Sequence, residues 1–256
     1  MIKKDQRLNH VNRIWELDFI RGICISAMIF NHFLLIMLFF YSHYWDIKPE
    51  GILGKIIDFA YYAFSNGNNI RSSISYAVLS FFFLLAGISS ILSYNNKTRA
   101  FKLGLMTLLM QLFSFIISNL FNIEVYILFG VFACYLSCLL IYIIAKSISK
   151  HYKSNAFFYS IMVFFILISV IILIFGPYAK HTNLFMFLGI PKKDGNVGFE
   201  YFPIFPWLGV FNIGVLSGNL LYKAPKSLLP FKYPNKEVFS YIGRNGLKAY
   251  ILHIPF

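Results

Sequence analysis

The sequence predicts an all-α fold, a polytopic membrane helix bundle of about seven transmembrane helices. Three observations carry the prediction. Hydrophobic residues make up 58% of the 256-residue chain and charged residues only 13%, whereas soluble domains sit near 45–50% and about 25%. The apolar residues gather in seven long runs separated by short, mostly basic segments. The 30 Phe and 17 Tyr suit lipid-facing surfaces and the aromatic belts of a bilayer. No polar stretch is long enough for a second domain, so residues 1–256 read as a single transmembrane domain.

A membrane-spanning helix needs roughly 20 mostly apolar residues. The runs that meet or approach this lie at about 20–42, 74–93, 102–121, 124–145, 156–176, 204–222 and 239–256. Residues 48–69 are mixed, with Pro49, Gly51, Gly54 and Gly67, and read as a loop carrying a short interfacial helix around Ile56–Phe64. Residues 177–203 form a second long loop rich in Gly, Pro and Lys. No internal repeat or low-complexity segment is present. The N-terminus does not read as a removable signal, because Lys3, Lys4, Arg7 and Arg13 lead into polar Trp15-Glu16-Leu17-Asp18 and no small-residue cleavage pattern follows. The last run stops at Pro255-Phe256 with no polar cap, so the C-terminal helix reads as cut short.

The net charge of +13 does not indicate nucleic acid, since the basic residues lie in loops between apolar runs rather than along a groove. Lys97, Arg99 and Lys102, then Lys146, Lys150 and Lys153, then Lys223, Lys226, Lys232 and Lys236 fall in alternate loops with the basic tail. In the opposite loops Lys48, Lys55, Arg71, Lys180, Lys192 and Lys193 are balanced by Asp46, Glu50, Asp58, Glu124, Asp194 and Glu200. Because Lys and Arg set orientation, residues 1–19 are expected to form a cytoplasmic tail of a multi-pass cell-membrane protein. Cys24, Cys134 and Cys138 lie inside apolar runs without a metal-binding spacing and read as buried, inert thiols.

Ionisable residues inside a membrane are costly and are functional candidates by default. The first run carries Arg21 and His32, and His43 stands at its far end. Each gap of 11 residues is close to three helical turns, so the three side chains share one stripe and drift about 20° per step. At about 1.5 Å per residue, His32 falls near the middle of a roughly 30 Å hydrocarbon core and His43 near the outer surface. Asp18, three residues before Arg21, can pair with it. Blander readings exist for each: a packed His, an Arg snorkelling to inner headgroups, a belt His beside Tyr41, Tyr44 and Trp45.

The segments Glu16-Leu17-Asp18-Phe19-Ile20-Arg21-Gly22 and Met28-Ile29-Phe30-Asn31-His32 resemble the opening of the heparan-α-glucosaminide N-acetyltransferase catalytic domain and its prokaryotic relatives. The Arg-to-His spacing is also similar to that of the acyltransferase-three membrane family. The resemblance continues at Phe82 to Ser90, at Phe129-Gly130, at Tyr201-Phe202-Pro203-Ile204-Phe205-Pro206-Trp207-Leu208-Gly209, and at Gly243-Arg244-Asn245 with Tyr250 and His253. It implies acetyl transfer from cytoplasmic acetyl-CoA, a co-substrate, to an extracytoplasmic amino sugar or surface glycan, with no metal. His43 matches the position of the essential His in the heparan enzyme, whereas His32 matches the acyltransferase-three motif, and the choice stays open. The run Phe129-Gly130-Val131-Phe132-Ala133-Cys134 departs from relatives that carry a His shortly after Phe-Gly.

Acyl transfer to an amine needs a base near neutral pKa and donors for the thioester oxyanion. His43 or His32 would be the base, while Asn31, Asn245 or the Trp207 indole would donate. Arg21, Arg244 and Lys248, along with Lys97, Arg99 and Lys102, could gather phosphates of acetyl-CoA; for the last three, plain loop charge is the simpler reading. The expected partners are the lipid bilayer, acetyl-CoA and a sugar acceptor, with a homodimer allowed. Two rivals stand beside this reading: a transporter or flippase of a polar solute, and a non-catalytic relative.

Overall fold

A computed structural model describes residues 14–44, 49–64, 69–121, 126–176, 183–190, 200–223, 226–229 and 237–253. In chain order the helices are α1 (Trp15–Tyr44), α2 (Gly51–Phe64), α3 (Asn69–Leu92), α4 (Asn96–Phe121), α5 (Val131–His151), α6 (Asn155–Phe175), α7 (Ile204–Leu221), α8 (Val238–Arg244) and α9 (Gly246–His253), with a 3-10 turn at Asn183–Leu188. Among the described residues the fold is all-α, and six helices, α1 and α3 to α7, are long and apolar enough to cross a membrane. The chain is a multi-pass membrane protein.

The expected seventh span at 239–256 is corrected. It is two short helices of 7 and 8 residues, α8 and α9, parted at Asn245, whose φ of −108° and ψ of 26° leave the helical region. The sequence Gly243-Arg244-Asn245-Gly246 explains the break, since two glycines and an asparagine are poor helix formers. Residues 254–256 lie outside the described part. The short helix expected around Ile56–Phe64 starts earlier, at Gly51, and buries Gly54, Ile57, Ala60 and Ala63 along one face. Within the span expected at 204–222, Phe205 is extended (φ −97°, ψ 137°), and regular helix follows from Pro206, a residue suited to a helix start.

The chain divides into two compact units, residues 1–82 with 224–256, and residues 83–223. In the first, α1 is the axis. Glu16 in its opening turn is buried and accepts hydrogen bonds from the Leu228 N–H (2.7 Å) and the Ser227 hydroxyl (2.8 Å), which pins the segment ahead of α8 to the start of α1. Phe19 meets Phe239 edge to face at 5.9 Å. In the second unit α7 is the most enclosed span: Leu208, Phe211, Asn212 and Val215 are fully buried. By contrast, Phe164, Leu167, Ile171, Leu173 and Phe175 of α6 are exposed. Such a surface is costly in water and suits lipid tails.

Candidate functional site

The first unit's site is built on a crossing of α1 and α8. A Cβ on Gly22 would overlap the Phe239 carbonyl oxygen, and one on Gly243 would overlap the Asp18 carbonyl oxygen. Only glycine lets two helix backbones come so close. Arg21 precedes the first of these glycines and Arg244 follows the second, so the crossing delivers Arg-Gly from α1 and Gly-Arg from α8 to the same place. Arg21 Nη1 donates to Asp18 Oδ1 at 2.8 Å, the pair their three-residue spacing predicts. Arg244 Nε donates to the Ser240 carbonyl oxygen at 3.1 Å. Glu237 caps α8 by accepting the Ser240 N–H at 2.9 Å.

The break after Arg244 places Asn245 between the two short helices. Its amide donates to the Tyr241 carbonyl oxygen at 3.0 Å, and its own N–H satisfies the Tyr241 and Ile242 carbonyls. Lys248, one turn on, is exposed. α1 runs unbroken through Asn31 and His32, both half-buried, so the stripe from Arg21 to His32 is real helix, about 16 Å long. The backbone of His43 belongs to the last turn of α1, but its side chain lies outside the described part, as do those of Tyr250 and His253. The structure thus gathers Asp18, Arg21, Arg244 and Asn245 around one crossing and sets Asn31 and His32 farther along the same helix.

Trp207 belongs to the second unit. It is buried, stacked on Phe83 at 5.3 Å and tilted against Phe202 at 6.3 Å. Arg99, read from sequence as a loop charge, is drawn inward instead: Nη1 donates to the Ser89 carbonyl oxygen and to Asn96 Oδ1, both at 3.1 Å, and Nη2 donates to the Tyr135 hydroxyl. All three cysteines are buried free thiols. Among the described residues no group of three His, Cys, Asp or Glu side chains could hold a metal ion.

Glu200 has a role the sequence reading missed beyond counting its charge. Its Oε2 would lie 2.9 Å from a Cβ on Gly130, at the start of α5, whose N-cap Gly130 offers no side chain of its own. Burial pushes the carboxyl up to about 7 and the Val131 N–H pulls it partly back. The neighbouring Phe202 N–H donates to the Phe129 carbonyl at 2.8 Å, joining the two loops. A carboxyl whose pKa is raised on folding stabilises the fold most below its unfolded value, near 4.5, and that stabilisation is lost as pH rises through about 7. Thermal unfolding of the purified protein should therefore fall between pH 5 and pH 8, by at most about 3 kcal/mol. In Glu200→Gln that slope should flatten; an unchanged slope would assign it elsewhere.

The fold defines a class: a polytopic helix-bundle membrane protein, in whose first unit Arg21 and Arg244 flank a glycine-mediated helix crossing. The family model described as heparan-alpha-glucosaminide N-acetyltransferase, catalytic, matches residues 54–255. The chain belongs to that family. The match takes in Trp207, Arg244, Asn245 and Lys248, and it begins after Asp18, Arg21, Asn31, His32 and His43. No curated protein and no solved structure matches the chain.

Proposed function

We propose that the protein moves an acetyl group from acetyl-CoA on the cytoplasmic side to the amine of an extracytoplasmic amino sugar or surface glycan. The N-terminus and the basic loops face the cytoplasm in this reading. Two things support it: membership of an acetyltransferase catalytic family, and the crossing that sets Arg21 beside Gly22 against Gly243 beside Arg244. The crossing is the observation that carries the donor end of the site. Guanidinium groups bind phosphate in two-pronged fashion, and Lys248 adds an exposed cation one turn from Asn245.

The amine attacks the thioester carbonyl carbon and forms the amide bond. The carbon–sulfur bond breaks, a histidine of α1 takes the proton that the attacking nitrogen loses, and CoA leaves as the thiolate, which gains its proton when the histidine gives it up again. His43 and His32 are the candidates. Asn31, Asn245 and the Trp207 indole are proposed as hydrogen-bond donors to the substrates or the oxyanion. A broken helix also lines solute paths in transporters, and acetyl-CoA binding separates the two readings.

Arg21→Lys supplies that test. An ammonium cannot reproduce the guanidinium fork, so acetyl-CoA affinity should fall about tenfold with little change in thermal stability. If the Asp18–Arg21 pair serves only the fold, stability should fall instead while the folded fraction binds acetyl-CoA normally. Calorimetric titration and a melting curve on one purified sample decide between them.

A further inference from the structure

Arg99 stands at the first turn of α4 in the second unit, part-buried rather than extended into solvent. Its three protein bonds go to neutral oxygens: the Ser89 carbonyl, the Asn96 side-chain amide and the Tyr135 hydroxyl. Among the described residues no carboxylate pairs with it. Surface arginines need no counter-ion, but a guanidinium drawn between helix ends loses hydration and gains from an anion. The bond to Ser89, in the last turn of α3, gives partial compensation from the helix carbonyls. Of the five N–H groups of a guanidinium, the three bonds occupy both on Nη1 and one on Nη2. That leaves the Nε–H and one Nη2–H for an anion, and phosphate oxygens are the acceptors that guanidinium N–H groups bind best. Tyr135, Ser89 and Asn96 hold the plane of the group, so little side-chain freedom is lost on binding. Lys97 and Lys102, two residues before and three after, are exposed on the same helix and add positive potential.

We propose that Arg99 is the centre of a phosphate-binding site at the α3–α4 turn of the second unit. The ligand chemistry is a phosphate monoester or diester, supplied either by the nucleotide end of a soluble donor such as coenzyme A or by an anionic lipid headgroup. The first source rests on the function proposed above; the site itself does not.

The test footprints arginines on the wild-type protein in phosphatidylcholine nanodiscs, so that no variant has to fold. Phenylglyoxal modification of Arg99, read by peptide mass spectrometry, should slow at least about threefold in inorganic pyrophosphate or coenzyme A, or in nanodiscs containing phosphatidylglycerol. Protection by pyrophosphate and coenzyme A identifies a soluble source, and protection by phosphatidylglycerol alone identifies lipid; either upholds the site. Equal modification in all conditions overturns it and leaves Arg99 a helix staple. Coenzyme A binding measured on the same sample keeps the two readings apart. Binding with Arg99 unprotected in every condition, phosphatidylglycerol included, sinks the site but not the donor; pyrophosphate protection without coenzyme A binding does the reverse. As a second arm, Arg99→Lys keeps the charge but not the fork; the fraction that folds should lose about tenfold in affinity for whichever phosphate protects. Unchanged affinity in a folded Arg99→Lys would also overturn the proposal.

Discussion

Gly22→Ala should leave little or no folded protein. A Cβ at this position overlaps the Phe239 carbonyl oxygen, a backbone atom that cannot swing aside as a side-chain tip can. The α1–α8 crossing has to open, which exceeds the roughly 1–3 kcal/mol of ordinary overpacking. Gly243→Ala meets the Asp18 carbonyl from the other side and should fail in the same way. Gly104→Ala is the control. Its Cβ would touch only Leu136 Cδ2, at 3.8 Å, and alanine gains about 0.5–1 kcal/mol over glycine inside a helix. Size-exclusion profiles and melting curves in detergent check the series. A monodisperse Gly22→Ala protein with an unshifted melting temperature would mean that the crossing is not as close as described.

The largest catalytic effect is expected at His43. A general base has to come within about 3 Å of the proton it takes, and residues 11 apart on one unbroken helix are about 16 Å apart. Only one of the two histidines can therefore serve. His43 stands at the end of α1, where the proposed function would bring a polar acceptor without entry into the apolar core, whereas His32 is half-buried along the span and in that proposal lines the path of the acetyl group. His43→Ala should lower transfer by about 10²- to 10⁴-fold while acetyl-CoA still binds. His32→Asn should retain measurable transfer. Turnover retained in His43→Ala and lost in His32→Asn would reverse the roles, and full turnover in both would end the histidine mechanism. The family match begins at residue 54, beyond both histidines, and so does not choose between them.

Six spans were legible because the hydrocarbon core imposes a length and a polarity that any window along the sequence can measure. The seventh was misread for the same reason. Hydropathy counts side chains, whereas Gly243, Asn245 and Gly246 act on the backbone and break the run into α8 and α9. The Asp18–Arg21 pair was legible because it lies within one helical turn. The bond from Leu228 to Glu16, between residues 212 apart in sequence, has no local signature. Neither has the carboxyl of Glu200 against Gly130. Arg99 shows how a composition rule misleads: its charge obeys the loop bias, yet its guanidinium turns inward to Ser89, Asn96 and Tyr135, on α3, α4 and α5. The meeting of Arg21-Gly22 with Gly243-Arg244 was present in the sequence only as two distant dipeptides, and close backbone packing is what joins them.

One measurement tests the account most directly. The purified protein is reconstituted in proteoliposomes of uniform orientation, with acetyl-labelled acetyl-CoA at the face carrying the basic loops and glucosamine sealed on the other side. The account predicts labelled N-acetylglucosamine on the glucosamine side only, in step with free CoA released on the donor side, and no product when the two substrates exchange sides. Folded protein that releases no CoA under these conditions, or that carries glucosamine across without acetylating it, would contradict the account.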